Sequence, residues 1–271
     1  MAALSGPVSG GAAVRGYSLV VVIPVFDHEH AIGGVLDALE PSGLPVILVD
    51  DGSSEACKLE LERQAERRKA NVSLIRLPVN QGKGGAVIAG CRAAHARGYT
   101  HALQIDADGQ HDLGDLPRFR AESTNHPDAV ICGAPRFDES IPRGRKYGRL
   151  LTSVWVWINS LSLAIEDAMC GYRIYPLPAV IRVFDRAIGL GLRMDFDPEV
   201  LVRLCWDGLS MVNVPTKVRY PADGRSHFKM LRDNWLISLM HTRLFFGMLP
   251  RAPWLLARKL RGRQEPLLSG Q

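Results

Sequence analysis

The segment "QIDADGQHD", residues 104–112, follows the apolar run "THAL" and gathers Asp106, Asp108 and Asp112 with Gln110 and His111 where a buried strand should end. Like charges this close repel, and burial strengthens the repulsion. A cation in their midst would remove that cost. Asp106 and Asp108 flank Ala107, a spacing that on a continuing strand turns both side chains to one side, where they can share an ion. Carboxylate and amide oxygens suit Mg2+ or Mn2+. Gln110 is placed to add its side-chain carbonyl, and diphosphate oxygens and water would complete the shell. Asp112 reads as the cap of the next helix.

Three further polar clusters follow apolar runs: "IPVFDHE", "VDDGSS" and "PVNQGKGGA". Asp50 and Asp51 read either as ligand contacts or as a solvated turn, with Gly52 and a helix cap at Ser53 or Ser54. Gly82, Gly84 and Gly85 surround Lys83 at a helix start. Close backbone approach, free N–H groups and a positive charge favour an anion there, while tight packing of helix on sheet explains the same glycines without one. Lys83 is not part of a Walker A loop, because Gly84 stands where Ser or Thr is needed.

The elements that must position these clusters alternate along the chain. "LVVVIPVF", "PVILVD", "VSLIRL", "THALQID" and "DAVICG" read as strands. Between them lie helical patterns such as "EACKLELERQAERRKA" and "GKGGAVIAGCRAAHARG". That rhythm predicts βαβ units with a mostly parallel sheet flanked by helices, and near-continuous apolar strands fit a sheet covered on both faces. Ligands then bind at the carboxyl ends of the strands, where the polar clusters fall. After Pro135 the pattern changes to a basic loop, "RFDESIPRGRKYGR", and a long apolar helix from about Leu150 to Ala164.

With 271 residues, 46% of them hydrophobic, the chain can bury a large single core. Residues 1–16 read as a disordered leader without the charge or apolar run of a signal peptide. Five scattered cysteines without CxxC or Cys/His pairs argue against a disulfide framework or a zinc site and for a reducing compartment. The net charge of +5 suggests an anionic partner. Nucleic acid is disfavoured, because the basic residues are not interleaved with stacking aromatics. No run reaches the roughly 18 apolar residues of a membrane span. The nearest, Asn234 to Leu249, is interrupted by His241 and Arg243.

Taken together, "VVIPVFDHE", "ILVDDGSS", "NQGKGGA", "DADGQH", "GAPRF", "CGYRIY" and "GRSHFK" resemble the family 2 inverting glycosyltransferases of GT-A fold, in the branch of dolichyl-phosphate mannose synthase and other polyprenyl-phosphate sugar transferases. The resemblance covers roughly residues 18–232. It implies nucleoside recognition by Pro24, Asp27, Glu29, Asp50 and Asp51, and a metal and diphosphate site at Asp106, Ala107, Asp108 and Gln110. It further implies phosphate contacts from Arg136, Arg149 and Ser153, and an Arg225 that closes over the diphosphate; guanidinium forks match phosphate geometry. "PVFDHE" departs from the family's PTYNE, and Ala134-Pro135 stands in place of the Ser of GSR. The "DGRSHFKMLRDNW" region also resembles a bacterial subgroup found beside lipid acyltransferases and polyene pigment enzymes.

The implied donor is a UDP- or GDP-linked sugar, and the implied acceptor is a polyprenyl phosphate or a lipid or polyene hydroxyl. A metal at Asp106 and Asp108 would neutralise the leaving diphosphate, with Lys83 or Arg225 assisting. A phosphate acceptor needs no strong base; a hydroxyl needs one, for which Asp167, Asp197 and Glu199 are candidates. The last two read equally as wall or cap residues. The sequence divides into the leader, a transferase domain over 17–232 and an amphipathic, basic segment over 233–271. Helices around Trp155–Leu163 and Trp235–Leu249, with Arg258, Lys259, Arg261 and Arg263, suit peripheral contact with the cytoplasmic face of the inner membrane, or else a buried or dimer interface. A degenerate nucleotide-sugar-binding protein and a nucleotidyltransferase are the alternative readings.

Overall fold

A computed structural model describes residues 16–136, 143–218, 230–261 and 267–268. Among the described residues, eight strands form one sheet: β1 (Leu19–Val25), β2 (Val46–Asp50), β3 (Val72–Arg76), β4 (His101–Gln104), β5 (Val130–Arg136), β6 (Arg173–Pro176), β7 (Met211–Lys217) and the two-residue β8 (Leu267–Leu268). Their order is β3-β2-β1-β4-β6-β5-β7-β8. All pairings are parallel except those of β6, which runs antiparallel to β4 and β5. The chain leaves β1 for β2 on one side and later returns to β4 on the other, so the order reverses beside β1. At such a point neighbouring loops diverge and leave a crevice at the carboxyl ends of the strands.

Alternation along each strand splits the core in two. Val20, Val22, Ile47, Val49 and Ala102 face α3 (Lys83–Ala96), α6 (Leu177–Arg186) and α7 (Phe196–Trp206). Val21, Ile23, Leu48 and Leu103 face α1 (Ile32–Leu39), α2 (Glu55–Arg67) and α4 (Leu116–Asn125). The expected caps are present: Ser54 accepts from the Cys57 N–H ahead of α2, and Asp112 accepts from the Gly114 N–H in the turn before α4. Helix α3 lies close on the sheet because Gly90 has no side chain; a Cβ there would come within 2.3 Å of Val22 Cγ1.

Three expectations need correction. The strand ending in "THALQID" stops at Gln104, so Asp106 and Asp108 sit in a turn, where Gly109 at φ +71° reverses the chain. The long helix α5 spans Arg143–Ser160. It therefore includes the residues read as the end of a basic loop, and it stops where Leu161 adopts φ +51°. A boundary at 233 falls inside α8 (Met230–Met248), which with α9 (Ala252–Leu260) joins the main core through Met240, Leu244, Met248 and Leu255. The leader, apart from Gly16, lies outside the described residues.

The interruptions of the apolar run in α8 are turned inward. His241 is buried against Asn159 of α5, its Nδ1 3.2 Å from Asn159 Nδ2, and the Trp155 ring lies over it. Arg243 reaches Glu199 of α7. Arg258, read as a tail charge, is also buried, donating to the Cys205 and Trp206 carbonyls.

Gly90→Ala should lower unfolding free energy by about 1–3 kcal/mol through overpacking, read from urea midpoints. Gly148→Ala, exposed on α5 with nothing within 4 Å, should be neutral or stabilise by up to about 1 kcal/mol. Burial pushes the His241 pKa down from 6.5 to about 4. The unfolded chain takes up that proton first as pH falls, so this share of stability is full above pH 6.5 and lost towards pH 4. Unfolding curves of His241→Gln should show a shallower decline across that window.

Candidate active site

Side chains of neighbouring loops lace the crevice from the β1 side. Asp27, after β1, adopts φ +53°. Its N–H donates to Ser53 Oγ (3.2 Å), and its carboxylate accepts from the Ser54 N–H (2.7 Å), tying the β1 loop to the β2 loop. Asp50 accepts from the Ser53 N–H at 2.9 Å and lies 3.5 Å from Arg76. Pro24 is buried within β1, and Glu29 lies just beyond it, 3.5 Å from His30.

Asp51 uses its two oxygens on the Gln81 and Gly82 N–H groups, at 2.7 and 2.8 Å. Burial raises its pKa, and these two donors partly offset the rise. The Gly84 N–H donates to the Leu192 carbonyl at 2.8 Å. A Cβ at Gly82 would meet that oxygen at 2.4 Å, and one at Gly84 would meet Phe196 at 2.6 Å. These glycines therefore serve close packing, and the N–H groups of Gln81, Gly82 and Gly84 already have protein acceptors.

Lys83, the first residue of α3, points into the centre. Its ammonium lies 2.7 Å from Asp106 Oδ1 and 2.6 Å from Asp197 Oδ2. Burial works against this charge, and Asp106 and Asp197 outweigh it, raising the pKa above the ordinary lysine value. Burial likewise opposes ionised Asp106, and Lys83 with His111 overcomes it, so the carboxyl is held far below the usual range. Gly171 makes room for this contact: a Cβ there would sit 2.6 Å from Asp106 Oδ1 and 2.7 Å from Lys83 Nζ.

Beneath the triad lies a buried polar floor. Gln104 donates to Asp197 Oδ1 (3.1 Å) and accepts from Tyr175 (3.2 Å). Arg173, fully buried in β6, donates to the Asp197 and Ala168 carbonyls and lies 3.6 Å from Asp197 Oδ1. Sequence reading gave these residues no role. The available signals were an arginine inside the apolar strand "YRIY" and a glutamine inside "THALQI".

Asp108 accepts from the Gln110 N–H at 3.0 Å. Burial and then the charge of Asp106 raise its pKa. His111 Nε2 lies 3.4 Å from Asp106 Oδ2, with its ring against Tyr172, which stacks on Phe119. Asp106 thus faces protein cations or donors with both oxygens, and among the described residues no group of three His, Cys, Asp or Glu side chains is arranged to hold a metal.

The other expected residues lie on β5, α5, α7 and the segment entering β6. Arg149 of α5 grips Asp167 with two bonds of 2.9 Å, and Asp167 also accepts from the Met169 and Cys170 N–H groups. Ser153 is buried one turn further along α5. Arg136, at the end of β5, is exposed 3.6 Å from Glu166. Glu199 is enclosed between Arg203, Arg243 and the Gly191 N–H, turned towards α8 rather than the crevice. Arg225 lies outside the described residues.

Lys83→Met would leave the carboxylates of Asp106 and Asp197 without their shared, half-buried cation and should cost about 1–3 kcal/mol in urea unfolding. Lys58→Met, which breaks an exposed pair with Glu55, should cost under about 1 kcal/mol.

Comparison with known proteins agrees with this architecture. An uncharacterized protein of Methanocaldococcus jannaschii is 35% identical over 164 residues, 58% of this chain and 70% of that protein. A dolichyl-phosphate beta-glucosyltransferase of Trichomonas vaginalis is 30% identical over 58% of this chain, a match spanning only 49% of its own length. An undecaprenyl-phosphate mannosyltransferase of Micrococcus luteus is 29% identical over 73% of this chain and 82% of its own. Among solved structures, S. aureus TarS in complex with UDP superimposes with a TM-score of 0.53 at 16% identity, covering 84% of this chain and 65% of that one, which supports the GT-A fold. Residues 20–188 match Glycosyl transferase family 2, and the chain belongs to that family.

Proposed function

We propose that the chain transfers a sugar from a nucleotide-diphosphate donor to the phosphate oxygen of a polyprenyl phosphate. The observation that carries this choice of acceptor is the state of the three candidate bases. Asp167 is paired with Arg149, Asp197 with Lys83, and Glu199 with Arg203 and Arg243. A hydroxyl acceptor needs a carboxylate free to take its proton. A phosphomonoester is ionised at neutral pH and attacks unaided. The names of the Trichomonas and Micrococcus relatives, which refer to dolichyl and undecaprenyl phosphate, support the same reading.

In this reaction the acceptor oxygen bonds to the anomeric carbon from the face opposite the leaving group. The bond to the donor diphosphate breaks, and the nucleoside diphosphate departs with the electron pair, inverting the centre. Pro24, Asp27, Glu29 and Asp50 line the nucleoside end, and Asp51 shapes it by fixing the Gln81–Gly82 turn. Lys83 acts on Asp106 and Asp197 rather than on the diphosphate. Arg225 closes over the diphosphate, while Arg136, Arg149 and Ser153 attract the acceptor phosphate.

Mg2+ or Mn2+ would be held by Asp108 and Gln110 with Asp106, whose carboxylate the ion would share with Lys83 and His111. Burial and the neighbouring Asp106 disfavour ionised Asp108, and a cation bound there would favour it. When bound, such an ion would screen the charge on the leaving diphosphate. A lipid-linked acceptor places the protein at a membrane surface, here taken as the cytoplasmic face of the inner membrane.

A panel of UDP- and GDP-sugars with Mn2+ should contain one donor that raises stability by about 2.7 kcal/mol at a hundredfold excess over Kd, read by thermal unfolding. With that donor, product should form from polyprenyl phosphate and not from the matching polyprenol. Product from the polyprenol alone would overturn the acceptor assignment. Donor binding without transfer to either would favour the alternative of a nucleotide-sugar-binding protein.

A further inference from the structure

Helices α5 and α8 anchor to the core through Val156 and through Met240, Leu244 and Met248, and each carries a second apolar face turned outward. Soluble surface helices turn apolar residues inward and polar ones to water. Here α5 buries Thr152, Ser153, Asn159 and Ser160 and exposes Tyr147, Leu150, Leu151, Val154, Trp155 and Ile158, which recur on one face. Helix α8 turns Asp233, His241 and Arg243 towards the protein and exposes Leu231, Trp235, Leu239 and Phe246, followed by Leu249 just beyond its end. Exposure is near complete at Leu231 (91%) and high at Trp235 (70%) and Leu151 (62%).

The two stripes form one surface. Both helices pack on α7 and on each other, so their outer faces point away from the same layer. Trp155 bridges them, its ring against His241 and Phe245. A contiguous apolar surface of this kind marks an interaction site rather than ordinary scatter.

Charge identifies the occupant. Arg232 at one end of α8, and Arg251, Lys259 and Arg261 beyond the other, are exposed. The only acidic residue in α5, α8 or α9 is Asp233, which is buried. Two copies apposed through this face would bring basic rims together. Apolar and aromatic side chains rimmed by cations instead match an anionic lipid surface. We propose that the α5–α8 face is a docking surface for an anionic bilayer, in which the exposed stripe enters the boundary between headgroups and acyl chains. This rests on the lipid-acceptor reading above for its purpose, but its evidence and its test are separate.

The test is co-flotation of the full chain, without donor or acceptor, with phosphatidylcholine vesicles containing or lacking about a third phosphatidylglycerol. Binding is expected to the anionic vesicles, with a blue shift in tryptophan emission. Trp235→Glu/Leu239→Glu and Leu150→Glu/Leu151→Glu should each weaken it at least about tenfold while thermal unfolding stays close to wild type. Leu59→Glu, exposed on α2 across the sheet, should leave it unchanged. Failure of the wild-type chain to float with anionic vesicles overturns the proposal. So does equal binding by all variants, or a stable dimer that the α5 and α8 substitutions dissociate without any vesicle binding. Loss of sugar transfer with flotation intact would count against the proposed reaction and not against this surface.

Discussion

The structure turns on one half-buried ammonium held between two carboxylates. Lys83 sits between Asp106 and Asp197, and each of the three belongs to a different part of the chain: the start of α3, the turn after β4 and the first turn of α7. Isolated, any of these charges would be expensive to bury; together they hold three segments at fixed separation. The remaining polar contacts in the crevice are arranged around that constraint. Gly171 leaves space for it, Arg173 and Gln104 complete the shell of Asp197, and Asp51 and Leu192 fix the turn that delivers Lys83.

Helix α7 carries this constraint outwards. Asp197 faces the crevice through Lys83, while Glu199, two residues on, faces Arg243 of α8 and the Gly191 N–H. The Leu192 carbonyl beside Gly191 in turn receives the Gly84 N–H of α3. Crevice and outer helices are thus connected through hydrogen bonds to two adjacent residues of one loop. That gives Arg243 its inward direction.

Much of the fold was legible in the sequence because it is written in local patterns. Near-continuous apolar runs in β1, β2 and β4, turn residues after them and the caps at Ser54 and Asp112 are properties of neighbouring residues. What was hidden depends on contacts distant along the chain. Nothing near Lys83 shows that Asp197, 114 residues away, takes one side of its charge. Arg203, one turn from Glu199, was visible, but nothing nearby shows that Arg243 closes on its other side, and nothing near Gly82 and Gly84 decides between the anion cradle and the close packing that both fit them. The polar breaks in α8 were visible; which way they faced was decided only by Asn159 and Glu199.

The reversed strand β6 has a bearing on how such a protein is remodelled. Because it runs against β4 and β5, its beginning, not its end, lies at the ligand edge, and Arg173 pairs in register with Gln104. The segment entering β6, with Asp167 and Gly171, therefore borders the crevice from the side opposite the β1 and β2 loops. The exposed Leu163 and half-exposed Glu166 of that segment are open to substitution, whereas Ile165, Ala168 and Cys170 are held in the core, so this wall can be altered only at a few positions.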